Sequence, residues 1–138
     1  MKVVIIGCGR VGARIATALD RQGHDVSIVD MQTSAFRRLA PDFSGRAITG
    51  TGIDEDVLRS AGISEADAFI AVTNGDNRNL MAAQVAKVIF GVEKVAARVY
   101  DPVRAETFRD MGIETICSTT TMSDIFLDSV AGEASARP

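Results

Sequence analysis

Val3-Val4-Ile5-Ile6-Gly7-Cys8-Gly9-Arg10-Val11-Gly12 is a β-branched run that reads straight into three glycines and then into the helical spacing Val11, Ile15, Leu19. A strand, a turn and a helix in that order form the context in which a glycine fingerprint for dinucleotides has meaning. Gly7 permits a tight turn out of the strand, Gly9 leaves room for a pyrophosphate against the main chain, and Gly12 lets the helix lie close to the sheet. The first-turn amides of that helix have no partner within it and carry the positive end of its dipole, so a phosphate belongs there.

The second apolar run, Val26-Ser27-Ile28-Val29, closes on Asp30 at about the expected distance beyond the glycines. A carboxylate at that strand end accepts from both hydroxyls of a ribose. It also repels a 2′-phosphate, and the next residue is Met31 rather than an arginine. The site is therefore expected to favour NAD or a plain adenosine nucleotide over NADP. The competing reading of Asp30 is a helix cap, a role open to Thr33 and Ser34 as well.

At 138 residues the chain is expected to form one domain with a substantial core. Its hydrophobic share of 46% and charged share of 24% are ordinary for a soluble globular protein. A net charge of −3 argues against nucleic acid as the main partner. No run approaches the length of a membrane span, and the chain enters a strand at once without a signal-peptide pattern, so a cytoplasmic protein is expected. Cys8 and Cys117 form neither a disulfide framework nor a metal-ligand cluster and read as buried, inert thiols. His24 follows Gly23 and reads as a solvated turn residue.

Four amphipathic segments end in a glycine suited to the left-handed position after a helix, Gly23, Gly62, Gly91 and Gly112, and each is followed within a few residues by an apolar run. This repeated βα pattern implies an α/β fold, a doubly wound parallel sheet of about six strands. The first helix is expected over residues 10–22, burying Val11, Ile15 and Leu19, and a second over residues 33–40, stopped by Pro41. Asp54 is placed to cap a helix over residues 55–61, and Asp101-Pro102 to start another as cap and first residue. Between them a long helix carries Met81, Val85, Val88 and Ile89 on one face. After a sixth strand and the run Thr119-Thr120-Thr121, a helix over residues 122–130 presents Met122, Ile125, Phe126 and Val130 as an apolar stripe. Residues 131–138 read as a tail or linker.

Ligands of such sheets bind outside the carboxyl ends of the strands, where strand order reverses. The residues placed there are Gly7 to Gly12, Asp30, the turn holding Gly50, Thr51 and Gly52, the cluster Thr73, Asn74 and Asp76, and Arg98. As helix caps alone, Asn74 and Asp76 would suffice. Arg98, inside an apolar strand, needs an anionic partner, either a ligand or a carboxylate such as Asp101 or Asp76. No paired acid and base, no histidine placed to relay a proton and no second domain accompany this set, so a non-enzymatic, nucleotide-sensing module is expected. The alternative is the cofactor-binding domain of an NAD-dependent oxidoreductase that lacks its catalytic half.

The chain resembles the N-terminal nucleotide-binding domain of the regulators of potassium conductance, the TrkA-N domain. The resemblance covers residues 1–130 and rests on GCGRVG, on VSIVD ending in Asp30, and on GTGIDEDVLRSAGI, AFIAVTNGDNRNLMAAQVAK and ARVYDP. It implies a Rossmann-like domain that binds NAD(H), ATP, ADP or AMP and gates a potassium channel or transporter. It further implies a cytoplasmic subunit, peripheral to the membrane through an integral membrane partner, that forms a homodimer able to build an octameric ring. By the same resemblance Gly7, Gly9, Arg10, Val11 and Gly12 form a phosphate loop, Asp30 a ribose acid with Met31 beside it, Thr73 and Asn74 a wall, and Arg98 a phosphate contact. The helix from Met122 would be the family's crossover helix between subunits. Thr51 departs from the pattern, standing where many members have an aspartate that can face the adenine; family proteins also commonly continue into a C-terminal ligand-binding domain.

Overall fold

The computed structural model describes residues 1–132. Four consecutive β-branched residues, Val3 to Ile6, fill the strand β1, Lys2–Ile6, and none is more than 2% exposed. A strand that apolar must be covered on both faces and paired along both edges. It lies between β2, Asp25–Asp30, and β4, Ala68–Ala71, parallel to both. β3, Arg46–Thr49, lies beyond β2, while β5, Lys94–Val99, and β6, Glu114–Cys117, lie beyond β4. The order β3-β2-β1-β4-β5-β6 with every pair parallel is the expected doubly wound, Rossmann-like sheet. Successive β1 residues alternate between two cores: Val3 and Ile5 pack with Ala13, Ala16 and Ala35 on one face, and Val4 and Ile6 with Leu58, Leu80 and Ala83 on the other.

The helices are α1, Arg10–Arg21; α2, Glu55–Ser60; α3, Asp76–Gln84, continuing as the π-helical segment Val85–Ile89; α4, Pro102–Arg109; and α5, Ser118–Ala131. Gly23, Gly62, Gly91 and Gly112 all take positive φ after their helices, as the sequence pattern requires. Asp54 caps α2 by accepting from the amides of Asp56 and Val57, and Asp101 caps α4 through Val103 with Pro102 at its start.

Three expectations need correction. The segment after β2 is no α-helix but a 3-10 turn, Thr33–Arg38. Pro41 disfavours helical geometry in the residue before it, and what remains is too short to sustain an α-helix. The last helix begins at Ser118, so the threonine run forms its first turn instead of preceding it. The buried helix faces also differ. In α1 the buried residues are Gly12, Ala13 and Ala16, with Ile15 and Leu19 half-covered and Val11 exposed. In α3 and its extension Leu80, Ala82, Ala83 and Ala86 are buried while Met81, Val88 and Ile89 face outward. Small residues on the sheet side let both helices approach closely, which leaves the bulky ones outside.

No residue of α5 is buried, and Met122, Ile125, Phe126, Leu127 and Val130 are all exposed. Of the expected tail, Ala131 closes α5 and Gly132 takes a left-handed conformation; residues 133–138 lie outside the described residues. Among the described residues no helix is long and apolar enough to cross a membrane.

Candidate functional site

At the switch point, where the chain leaves β1 for one side of the sheet and β4 for the other, the strand ends diverge and open a cavity of about 530 Å³. Its lining includes Gly7, Gly9, Asp30, Met31, Gly50, Gly52, Thr73 and Asn74, brought together from four loops as the sequence reading anticipated. Arg10, Val11, Gly12, Thr51, Asp76 and Arg98 are not among the lining residues.

Gly7 continues the ladder, its amide donating to the Val29 carbonyl at 2.8 Å, and turns away with φ of +102°. A Cβ there would meet the Val72 carbonyl oxygen at 2.8 Å, and a Cβ on Gly12 would collide with the Gly7 carbonyl oxygen. Gly12 thus works behind the loop, seating α1 against it. Gly9 differs: a Cβ would meet nothing within 4 Å, so the space it leaves belongs to the cavity and not to packing. It is also the N-cap of α1, where no side chain caps the helix and no acid occupies the first turn. The first-turn amides are therefore available to an anion. Arg10 and Val11 are exposed in that turn, and Arg10 lines an adjoining groove along α1.

Asp30 ties the end of β2 to this loop. Its Oδ2 accepts from the Cys8 amide and its Oδ1 from the Gln32 amide, each at 2.8 Å. The cap reading is not what forms: the 3-10 turn has Gln32 at its N-cap with no side-chain cap bond. A carboxylate has about four acceptor sites, so two remain for ribose hydroxyls. Between loop and turn lies the Cys8 thiol, fully buried and donating to the Ala35 carbonyl at 3.4 Å. Burial, reinforced by the negative charge of Asp30 and opposed by Arg38, pushes it up to about 11. Cys117 is also buried, near the Tyr100 carbonyl. His24 sits in its turn with Nδ1 2.9 Å from the Met1 amine.

The opposite wall is built by an asparagine that the sequence reading missed. Asn79, fully buried in α3, accepts through Oδ1 from the Thr73 amide at 2.8 Å and hydroxyl at 2.6 Å. Its Nδ2 donates to the carbonyls of Thr73 at 3.0 Å and Arg98 at 2.9 Å. Arg98 in turn donates from one amino group to the carbonyls of Val72 and Thr73, both at 2.9 Å, and lies 5.1 Å over the Tyr100 ring. It therefore braces the end of β4 from behind, and its partners are main-chain carbonyls instead of either expected carboxylate. Asp76 accepts from the amides of Tyr100 and Asp101, tying α3 to the β5–α4 turn, while Gly75 holds the α3 N-cap position. The signal for Asn79 was an amide amid Leu80, Ala82 and Ala83. Thr51 opens its turn, where its hydroxyl accepts weakly from the Ile53 amide.

Two cations in the cavity lining were also missed. Arg78 arrives from the first turns of α3, and Arg38 from the 3-10 turn, so an arginine lies near Asp30 although residue 31 is methionine. Nothing local in the sequence marks Arg38, because its position depends on how that turn folds back over Cys8. Among the described residues no three His, Cys, Asp or Glu side chains converge to hold a metal ion.

The model of the TrkA-N domain family matches residues 3–119. The chain is 53% identical over 127 residues to the Trk system potassium uptake protein TrkA of Streptomyces coelicolor, covering 92% of this chain and 57% of that one. It is 35% identical over 111 residues to the TrkA homolog of Pyrococcus abyssi, covering 80% of this chain and 49% of the other. The chain thus spans about half the length of these curated relatives. Among solved structures, the Kef CTD of Shewanella denitrificans in AMP-bound form superposes with a TM-score of 0.80 at 22% identity, over 94% of this chain and 79% of that one. The GsuK channel bound to NAD superposes with a TM-score of 0.70 at 18% identity, over 91% of this chain and 22% of the channel chain. At these identities the likeness is one of fold.

Proposed function

This chain belongs to the TrkA-N domain family, and from that premise we propose that it is the nucleotide-sensing domain of a potassium transporter or channel regulator. It binds NAD(H), ATP, ADP or AMP and passes the binding to the membrane protein as a change of shape. One observation carries the reading: a single cavity joins an uncapped helix N-terminus, the space left by Gly9 and a strand-end carboxylate with acceptor capacity to spare. These suit a phosphate and the ribose next to it. Adenine nucleotides are the common element in the names of two structural neighbours, one in AMP-bound form and one bound to NAD.

Within this reading Gly7, Gly9, Arg10 and Val11 present the phosphate loop, with Gly12 seating it, and Asp30 holds the ribose. Met31, Gly50, Thr51 and Gly52 flank the base. Thr73 and Asn74 form the far wall, and Asp76 and Arg98 hold that wall in place. The domain extends over residues 1–130 and is non-catalytic. Potassium flux as the regulated activity rests on family membership and on what the relatives are called. The exposed stripe of α5 and the outward faces of α3 supply the apolar surface for a homodimer, and for a ring beneath an integral membrane partner on its cytoplasmic side.

A ligand shifts such an assembly only by its difference in affinity between two shapes, typically about 1–3 kcal/mol per coupled site. Small-angle scattering of the chain with and without saturating NADH or ATP tests this. Profiles that differ with ligand are expected, and superimposable profiles despite measured binding would leave a nucleotide-bound scaffold without a switch.

A further inference from the structure

Cys8 is gripped at both ends by opposite charges. Asp30 accepts from its amide at 2.8 Å, and Arg38 Nη1 donates to its carbonyl at 3.4 Å. That bond is long and uses one of the five guanidinium donors, so the rest of the fork is available to a ligand. Asp30, Ser34 and Arg38 line the same cavity. Arg38 also lines the adjoining groove between α1 and the segment of the 3-10 turn, together with Arg10 and Arg14. The side chains of Arg10 and Arg14 make no hydrogen bond or ion pair among the described residues. No acid among the described residues lines this groove, and two acids on and after α1 are otherwise engaged: Asp42 is paired with Arg21 at 3.0 Å, and Asp20 accepts from the amide and hydroxyl of Ser44. In a chain of net charge −3, the corner beside the ribose acid is thus locally positive.

Resting on the nucleotide reading above, we propose that Arg38, assisted by Ser34 and the Arg10–Arg14 groove, forms a subsite for a phosphate on the adenosine ribose. The pocket then takes ribose-phosphorylated adenine nucleotides of the NADP(H) class alongside unphosphorylated ones. The sequence-level objection to a 2′-phosphate was the carboxylate of Asp30 with no arginine after it. Arg38 supplies the arginine from a different element. Both Asp30 oxygens already accept main-chain hydrogen bonds, which offset part of their charge and hold the carboxylate in place. Its remaining acceptor sites serve one ribose hydroxyl while the neighbouring oxygen carries the phosphate towards Arg38. A guanidinium fork suits that group, since it binds phosphate oxygens in pairs.

The cleanest probes are AMP and adenosine 2′,5′-bisphosphate, which differ only in the group at issue. In calorimetric titrations of the nucleotide-stripped chain, the bisphosphate is expected to bind at least as tightly as AMP. Arg38→Gln is expected to lower the ratio of bisphosphate to AMP affinity about tenfold or more, and Arg38→Lys by less. Thermal melting of both variants confirms that they are folded, and the ratio cancels any general weakening of the pocket. AMP binding with the bisphosphate about tenfold weaker, or a ratio unmoved by Arg38→Gln, overturns the subsite and leaves the nucleotide reading intact. Binding of neither overturns both.

Discussion

Asp30 and Asn79 perform matching tasks on the two sides of the cavity, each satisfying main-chain groups at the end of a strand. Removal of Asn79, which is fully buried, leaves donors and acceptors without partners in a poorly solvated place, at about 1–3 kcal/mol per stranded group. Asn79→Leu, which keeps the branching of the side chain and removes its polar atoms, is therefore expected to lower stability by at least that order while α3 still forms; denaturant titration reads the loss. Asp30→Ala is expected to weaken every ribose-bearing ligand, and unchanged affinity would remove the carboxylate from the site. Cys8 carries a linkage of defined sign. Burial lifts its thiol from 9.0 to about 11, so the folded state holds this proton more tightly than the unfolded chain. Its contribution to stability is complete below the unfolded value and is lost as pH rises through the folded one. Wild type should thus lose more melting temperature than Cys8→Ala between those values, and the native thiol should resist alkylation near neutral pH.

At the scale of elements, the sequence disclosed the strands and the glycines that close the helices more faithfully than the helix faces. A run such as Val3 to Ile6 has one physical solution, a strand covered on both sides, and Gly23, Gly62, Gly91 and Gly112 fall where a left-handed residue is needed. Apolar periodicity in α3 and α1 was real but answered a different question. Alanine and glycine face the sheet because they permit close approach, and the bulkier Met81, Val88 and Val11 are left outside. The cavity floor was legible because the glycine motif and Asp30 lie at strand ends. Arg38 and Asn79 were not, since their roles depend on how a 3-10 turn and a helix pack onto loops distant in sequence. The same packing fixes two expectations. Gly12→Ala drives a methyl into the Gly7 carbonyl, so marked destabilisation and loss of ligand binding should appear together in melting and titration. If the proposed homodimer forms through α5, where nothing is buried, the paired change Ile125→Glu and Phe126→Glu should leave the monomer's own fold intact and shift sedimentation from dimer to monomer; wild type sedimenting as a monomer would contradict that dimer.

Across the whole molecule, two cores on opposite faces of one parallel sheet fix the strand ends, and the crevice at their switch point joins elements from both halves. A nucleotide seated there touches the loop after β1, the end of β2 and the wall after β4 at once. Its occupancy would therefore bear on the relation between the α1 side and the α3 side, and the exposed apolar residues Met81, Val88 and Ile89 lie on the latter. The most direct test is calorimetric titration of the purified, nucleotide-stripped chain with NADH, NAD, ATP, ADP and AMP in turn. Micromolar binding of at least one, abolished or strongly weakened in Asp30→Ala, is expected, and the rank order would name the signal. No binding by any of the five would contradict the nucleotide site and reduce Gly7, Gly9 and Gly12 to a tight turn that seats a helix.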